Sequence, residues 1–309
     1  MIKKNEIYTL TISGVGENGE GIGKIDGFTI FVPYALPEET VEITVVKVLK
    51  SYAYGKLLKV LKPSKHRIKP ECPVFYRCGG CSFMHCDYKL ELKIKTQKVR
   101  DCISRIGGLD MDVKETFGCE RLHYRNKSQY PVTPGGIGFF APRSHRVIPV
   151  SDCLIQNEKS NRAAKIVGEY MELFHVKPYD ETTGRGTVRH IYTRVSQTGT
   201  VMVCIVTSSK NLKSSESLVS MLKNEFGDNL SVIQNINAKN TNVILGNETV
   251  TLYGEDTITD KIGDLYFEIS PHSFFQINPY QTKNLYDKVA KLCGFDGTEH
   301  VLDLFCGNH

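Results

Sequence analysis

The sequence has no tryptophan, no internal repeat, no low-complexity tract and no apolar run long enough to cross a bilayer. Its longest apolar runs, such as VMVCIV from Val201, are strand-sized. The N-terminus, MIKKNEIYTL, carries lysines with no apolar stretch behind them, so neither a signal peptide nor a membrane span is expected. Ten cysteines, with no export signal expected, point to a reducing compartment, where thiols serve as metal ligands or nucleophiles more often than as disulfides. A cytoplasmic protein with no membrane partner is expected. Acidic residues are absent from Lys47 to Pro70, a stretch that holds eight Lys or Arg, whereas the whole chain carries a formal charge of only +5. Such a basic, aromatic-bearing surface suits phosphate, although a solvated basic strand and linker has the same composition.

With 309 residues, 40% of them hydrophobic, the chain can bury a sizeable core spread over two or three domains. From residue 5 to 61 the pattern has period two with glycine punctuation, in IYTLTI, GEGIGKIDGFTIFVP, ETVEITVVKVLK and YAYGKLLKVLKP. Short alternating strands of this kind predict a small OB-like β-barrel, an architecture that often binds single-stranded nucleic acid. Downstream, Leu90, Ile94, Val99, Ile103 and Ile106 recur at helical spacing before Gly107 and Gly108, which predicts a helix with a core-packing stripe. From about 110 to 270, strands such as HYRNKSQYPV and RHIYTRVSQTGTVMVCIVT mix with helices such as NEKSNRAAKIVGEYMELFHV and SESLVSMLKNEF, predicting an α+β domain around an antiparallel sheet. After Pro271, SFFQINPYQTKNLYDKVAKLCGF predicts a loop entering a helix, and EHVLDLFCG predicts a buried parallel strand turning at glycine.

The segment CPVFYRCGGCSFMHC sets Cys72, Cys78 and Cys81 in a C-x5-C-x2-C pattern, with Cys86 five residues on. Gly79 and Gly80 let the backbone fold tightly around an inorganic centre. Four thiolates satisfy an iron–sulfur cluster or a structural zinc, and the fourth could be Cys86 or the distant Cys153 in PVSDCLIQ. The C-x3-C-x2-C spacing of the radical clusters that cleave S-adenosylmethionine is missing. His123, His145 and His272 fall in no pairing pattern and read as ordinary histidines.

Four features in this order resemble the RNA (uracil-5)-methyltransferase family, closest to its TRAM-containing, iron–sulfur, 23S ribosomal RNA branch: the barrel, CPVFYRCGGC with a distant DC, YRNKSQ, and FFQIN followed by LDLFCG. The resemblance implies a TRAM barrel at 1–61 and a central α+β RNA-binding domain with its iron–sulfur loop at 62–270. The helix at 87–106 would pack on the methyltransferase domain, a Rossmann-like α/β domain whose beginning occupies 271–309. It also implies a 4Fe-4S cluster on Cys72, Cys78, Cys81 and Cys153. S-adenosyl-L-methionine would be contacted by Gln276 and Phe305, with Asp303 and Gly307 opening the cofactor motif. Phe274 could stack on an unstacked base, and Arg125, Lys127 and Gln129 could face the RNA. A monomer acting on 23S rRNA is expected.

The family's chemistry begins with a thiolate adding to carbon 6 of uracil. Carbon 5 then takes the methyl group, and a base removes its hydrogen so that the thiol can leave. In the family the nucleophilic cysteine and the carboxylate lie well beyond the first cofactor strand. Cys204, Cys293 and Cys306 lack the expected context, and Asn308 and His309 follow Gly307 where the family has any residue and then glycine. These features lead to the expectation of a truncated member, inactive as this chain. The alternative reading is a non-catalytic RNA-binding module with a domain stabilised by iron–sulfur or zinc.

Overall fold

The computed structural model describes residues 2–239, 241–302 and 304. The chain divides into two compact units, Met1–Gly118 and Cys119–His309. Among the described residues no helix is long and apolar enough to cross a membrane.

The first unit opens with five strands: β1 Ile7–Val15, β2 Gly21–Ile25, β3 Phe28–Val32, β4 Thr40–Val48 and β5 Tyr52–Lys62. They close into a barrel in the order β1-β2-β3-β5-β4. All neighbours are antiparallel except β3 and β5. The period-two pattern explains the closure, because Leu10, Ile12, Ile30, Val32, Val41, Ile43, Val45 and Ala53 all point inward and are buried. The hairpin between β2 and β3 turns on Asp26 and Gly27, both at positive φ (49° and 81°), as two-residue hairpins require. Gly23 has no room for a side chain, since a Cβ there would lie 2.7 Å from the Thr11 carbonyl oxygen.

An ion pair ties the barrel to the segment that follows it. Glu39 is fully buried, and Arg67 grips both its oxygens, Nε to Oε1 at 2.5 Å and Nη2 to Oε2 at 2.7 Å. The amides of Leu36 and Ser64 donate to the same carboxylate, and Arg67 Nη2 also donates to the Tyr34 carbonyl. The cysteine loop then docks through rings: Phe75 and Tyr76 pack against Tyr34 at 5.5 and 5.2 Å, and His85 lies 5.4 Å from Phe75. Asp87 caps α1 (Tyr88–Asp101) by accepting from the Leu90 amide at 2.8 Å, and its other oxygen meets His66 at 2.7 Å. A π-helical turn, Cys102–Ile106, extends α1 to Gly107. The expected core stripe is only half realised. Leu90 and Ile94 pack with Leu36, Phe83 and Cys86, but Val99 and Ile106 are exposed, because the packing surface in this unit ends with the first turns of the helix.

The second unit is built on a seven-stranded sheet of order β12-β11-β10-β9-β6-β7-β8. Its strands are β6 Lys127–Thr133, β7 Gly136–Phe140, β8 Val147–Pro149, β9 Val188–Val195, β10 Val201–Thr207, β11 Leu230–Ile236 and β12 Glu248–Tyr253. Only β10 and β11 run parallel, joined by a crossover containing α3 (Ser215–Phe226). α2 (Glu158–Leu173) and α3 cover one face through Ala163, Val167, Leu218 and Leu222. On the other face Tyr192, Met202, Cys204 and Ile233 meet the hairpin of β13 (Ile258–Ile262) and β14 (Leu265–Ile269) together with Phe275. The α+β expectation therefore holds. The expected strand in EHVLDLFCG does not appear among its described residues: Val301, Leu302 and Leu304 are exposed, and no described strand lies beside them to supply the ladder a β-strand needs.

Removing Glu39 should leave Arg67 as an unpaired, largely buried cation, at a cost of about 3 to 5 kcal/mol, so Glu39→Ala should unfold at markedly lower urea concentration. Burial raises the Glu39 pKa, but Arg67 and the two amides outweigh it and hold the carboxyl below its usual value of 4.5. A depressed carboxylate contributes stability that is present above its unfolded pKa and lost as pH falls through the folded one. Thermal melts should therefore lose stability below about pH 4.5, less steeply in Glu39→Gln; identical pH slopes in the two proteins would contradict this account.

Candidate functional site

The segment Ser273–Asn278 is fastened to the sheet at several points. The Asn126 amide donates to the Ile277 carbonyl at 3.0 Å, and its side-chain Nδ2 donates to the Gln276 carbonyl, also at 3.0 Å. Arg194, itself 3% exposed, donates through Nη2 to the Ser273 carbonyl and through Nε to the Tyr192 hydroxyl at 2.6 Å. Phe275 is buried against Phe267, ring centroids 5.8 Å apart. Ser270 and Ser273 exchange amide-to-hydroxyl bonds at 3.1 and 3.2 Å. Asn278 ends the segment as the cap of α4 (Pro279–Cys293), accepting from the Gln281 amide at 3.0 Å, with Pro279 at the first helical position.

This anchoring sorts the two phenylalanines. Phe275 points into the sheet, whereas Phe274 is 72% exposed, so it is not a core residue. Gln276 is half-buried, its carbonyl occupied by Asn126.

The sheet face that receives the segment is cationic. In the β6–β9 pairing Lys127 lies opposite Arg194 and Gln129 opposite Tyr192. Because opposed residues share a face, Lys127 and Gln129 stand on the side where Tyr192 packs against Phe275. Ser128 and Tyr130 point the other way and are buried. Lys127 Nζ sits 5.2 Å above the Tyr192 ring. Burial first, then the charges of Arg194 and Arg125, push the Lys127 pKa below its ordinary value. Arg125 Nε is buried and makes no hydrogen bond among the described residues. Asp260, which is buried, interacts with Arg194 and accepts from the amides of Gln197 and Lys261 at 2.8 Å. The result is an anion-seeking row beside an exposed ring and a clamped glutamine.

Residues 3–58 match the TRAM domain. An uncharacterized RNA methyltransferase of Clostridium tetani is 45% identical over 99% of this chain and 68% of its own length, and one of Clostridium acetobutylicum is 43% identical with the same coverage. The chain belongs to the RNA (uracil-5)-methyltransferase family. Among solved structures, the Pyrococcus abyssi tRNA (uracil-54, C5)-methyltransferase in complex with S-adenosyl-L-homocysteine superimposes with a TM-score of 0.71 at 25% identity, over 92% of this chain and 65% of that one.

In this methyltransferase-family chain the cysteines form no ready-made metal site: among the described residues no three His, Cys, Asp or Glu side chains are gathered to hold an ion. The loop does show one feature of a thiolate cradle. The Gly80 amide donates to Cys78 Sγ at 3.4 Å, and the Cys78 pKa is raised by burial, against that bond, and by the neighbouring Cys72. Cys86 is fully buried and directs its thiol to the Phe83 carbonyl at 3.2 Å. In the second unit Asn161 shapes the turn bearing Cys153: its Oδ1 accepts from the Cys153 amide and the Tyr130 hydroxyl, while its Nδ2 donates to the Cys153 carbonyl and to Asp152. Cys204 is enclosed in β10, where burial pushes its thiol up to about 12, which suits packing and not attack. Asp303, Phe305 and Gly307 lie outside the described residues.

Four residues that build the site were given no role by the sequence: Asn126 and Phe275, which lie inside the YRNKSQ and FFQIN motifs, and Tyr192 and Arg194, which lie in none. The available signal was Asn126 itself, a polar residue with inward parity in the alternating YRNKSQ strand. Asn126→Ala should free the Gln276 carbonyl at a cost of about 1 to 3 kcal/mol and speed amide hydrogen exchange across residues 274–278. Asn126→Asp should do the same, since a carboxylate cannot donate; unchanged exchange in both variants would show that the clasp is not what holds the segment.

Proposed function

We propose that this chain serves S-adenosylmethionine-dependent C5-methylation of uridine in RNA, with 23S rRNA as substrate and the protein acting as a monomer. The observation that carries the reading is the clamped Ser273–Asn278 segment, which holds Phe274 out of the core and fixes Gln276 beside a row of cations. When bound, S-adenosylmethionine supplies the electrophilic methyl group. Gln276 is positioned to contact it, its backbone locked so that little conformational entropy is lost on binding. Phe274 offers a face on which an unstacked base can lie, a contact worth about 1 to 3 kcal/mol, set against a cost of a few kcal/mol for extruding the nucleotide. Arg125 and Lys127 answer the phosphate backbone, and Gln129 on the same face supplies a neutral donor and acceptor. Asp303, Phe305 and Gly307 complete the cofactor site in this proposal.

The cysteine loop is assigned a 4Fe-4S cluster with Cys72, Cys78, Cys81 and Cys153 as ligands. A backbone amide directed at a ligand sulfur, as Gly80 is at Cys78, is the kind of contact that tunes such clusters. The bonding of Asn161 to both Cys153 backbone groups would keep the fourth thiol in a fixed orientation.

Transfer at carbon 5 expels the hydrogen there, so RNA labelled with tritium at uridine C5 reports the reaction directly. Release is expected from unmodified 23S rRNA and not from tRNA transcripts when the chain is assayed together with a version continued through a complete catalytic domain. Release from tRNA alone would reassign the substrate, and release from neither would overturn the methylation reading. Anaerobic purification should give a brown protein with iron and sulfide in equal amounts, both lost in Cys78→Ser and Cys153→Ser. Stoichiometric zinc without sulfide would replace the cluster with a structural zinc site.

A further inference from the structure

Lys127 stands in surroundings that work against its charge. It lies opposite Arg194 in the β6–β9 pairing, and Arg125 precedes it by two residues. The side chain is half-buried, with Nζ 5.2 Å from the centre of the Tyr192 ring. Burial, Arg194 and Arg125 together hold its pKa below the ordinary value. Among the described residues no ion pair includes Lys127. Asp260, the buried acid of this face, accepts from the amides of Gln197 and Lys261 and interacts with Arg194.

A lysine attacks an electrophile only as the free amine, and desolvation beside another cation is one way a protein supplies it. The arginines differ from Lys127 in that a guanidinium stays charged wherever it sits. Arg194 is nearly closed off from solvent, and Arg125 Nε is buried with no hydrogen-bond partner among the described residues. Two fixed cations therefore flank one amine whose proton is loosely held. Guanidinium groups pair strongly with phosphoryl oxygens, so this face suits an electrophile that carries a phosphate beside its reactive carbon. An acyl phosphate, the mixed anhydride of a carboxylic and a phosphoric acid, has both parts. A neutral ester has only the reactive carbon.

We propose that Lys127 is a site of modification by acyl phosphates, with Arg125 and Arg194 holding the phosphoryl group. The lone pair of Nζ forms an amide bond to the acyl carbon. The bond from that carbon to the bridging oxygen breaks, its electron pair leaves with inorganic phosphate, and the surplus amine proton passes to water. The product is an uncharged amide, so the row Arg125, Lys127 and Arg194 keeps only its two arginine charges. The modification itself stands apart from the proposed function, and only its consequence rests on that reading: with Lys127 acylated, the face holds the phosphates of a substrate less firmly, which makes the row a point of regulation.

The test treats the whole chain with acetyl phosphate and follows each lysine by peptide mass spectrometry. Lys127 should be acetylated about 10-fold faster than Lys47 and Lys56, the factor that one charge-assisted hydrogen bond to the phosphoryl group supplies; both comparison lysines are exposed on the barrel. Inorganic phosphate should slow the reaction at Lys127 and leave the other two unchanged. With the N-hydroxysuccinimide ester of acetic acid, which offers no phosphate, the preference for Lys127 should vanish. Arg125→Gln should slow Lys127 alone, and where that variant loses its cooperative melt, phosphate protection of the unaltered protein decides the matter. Equal rates at the three lysines, the same preference with both reagents, or no protection by phosphate would overturn the proposal. Oligouridine should protect Lys127 as phosphate does. Protection by phosphate without protection by RNA would leave the acylation site standing and remove the row from the RNA reading, whereas protection by RNA with equal rates at all three lysines would do the opposite.

Discussion

Asn126, through its backbone amide and its side chain, and Arg194, through its guanidinium, hold the carbonyls of Ile277, Gln276 and Ser273, and the placing of the Ser273–Asn278 segment follows from that grip. A loop of this length could satisfy its backbone with water. Here it spends three carbonyls on buried donors of the protein, and an unmatched donor at either anchor would be costly away from solvent. The alternation of the segment then does the rest. With Phe275 driven into the apolar face beside Tyr192 and Met202, its neighbour Phe274 can only point outward. Exposure of a large ring is unfavourable in isolation, so the same anchoring that stabilises the loop keeps Phe274 available to a partner.

The first unit solves a different problem with the same economy. A five-stranded barrel has a small core, and the loop after it has few aliphatic residues to contribute. The Glu39–Arg67 pair supplies a connection in which each carboxylate oxygen accepts two hydrogen bonds and the guanidinium donates onward to the Tyr34 carbonyl, the kind of pairing under which a buried ion pair is tolerated. Rings from the barrel rim and the loop then seal the contact. The cysteines Cys72 and Cys78 are thereby carried on a loop tethered at both ends, by Arg67 before it and by the Asp87 cap after it.

Strand periodicity made the barrel legible in the sequence, because each of its strands buries one face and water takes the other. The same logic identified the antiparallel sheet and the two helices covering it, where long apolar stripes leave little ambiguity. Position within the site was less legible. Arg194 and Tyr192 lie about eighty residues from the segment they hold, and no local pattern announces a contact made by β9 reaching a loop so far along the chain. Phe274 and Phe275 are identical letters whose opposite fates depend on which one meets Phe267. The stripe of α1 misled in the other direction, since helical spacing reports an amphipathic face and cannot say whether this unit provides enough surface to cover Val99 and Ile106.

Charge distinguishes the outer surface of the barrel from the cationic row on the sheet. On the barrel the lysines are exposed, so their attraction to phosphate is screened by salt and serves mainly to raise the encounter rate. On the sheet, Lys127 is half-buried with two arginines as its neighbours, and both its desolvation and their charges work against its protonation. An anion placed there would repay more than one unfavourable term at once, because it would shield the cations from each other and satisfy the orphaned Arg125 Nε. A site of this kind discriminates by geometry, since only an anion that reaches all three groups recovers the full gain. Exposed lysines would tolerate an anion in many positions, whereas the half-buried row would admit few, which is the property the proposed function asks of this face.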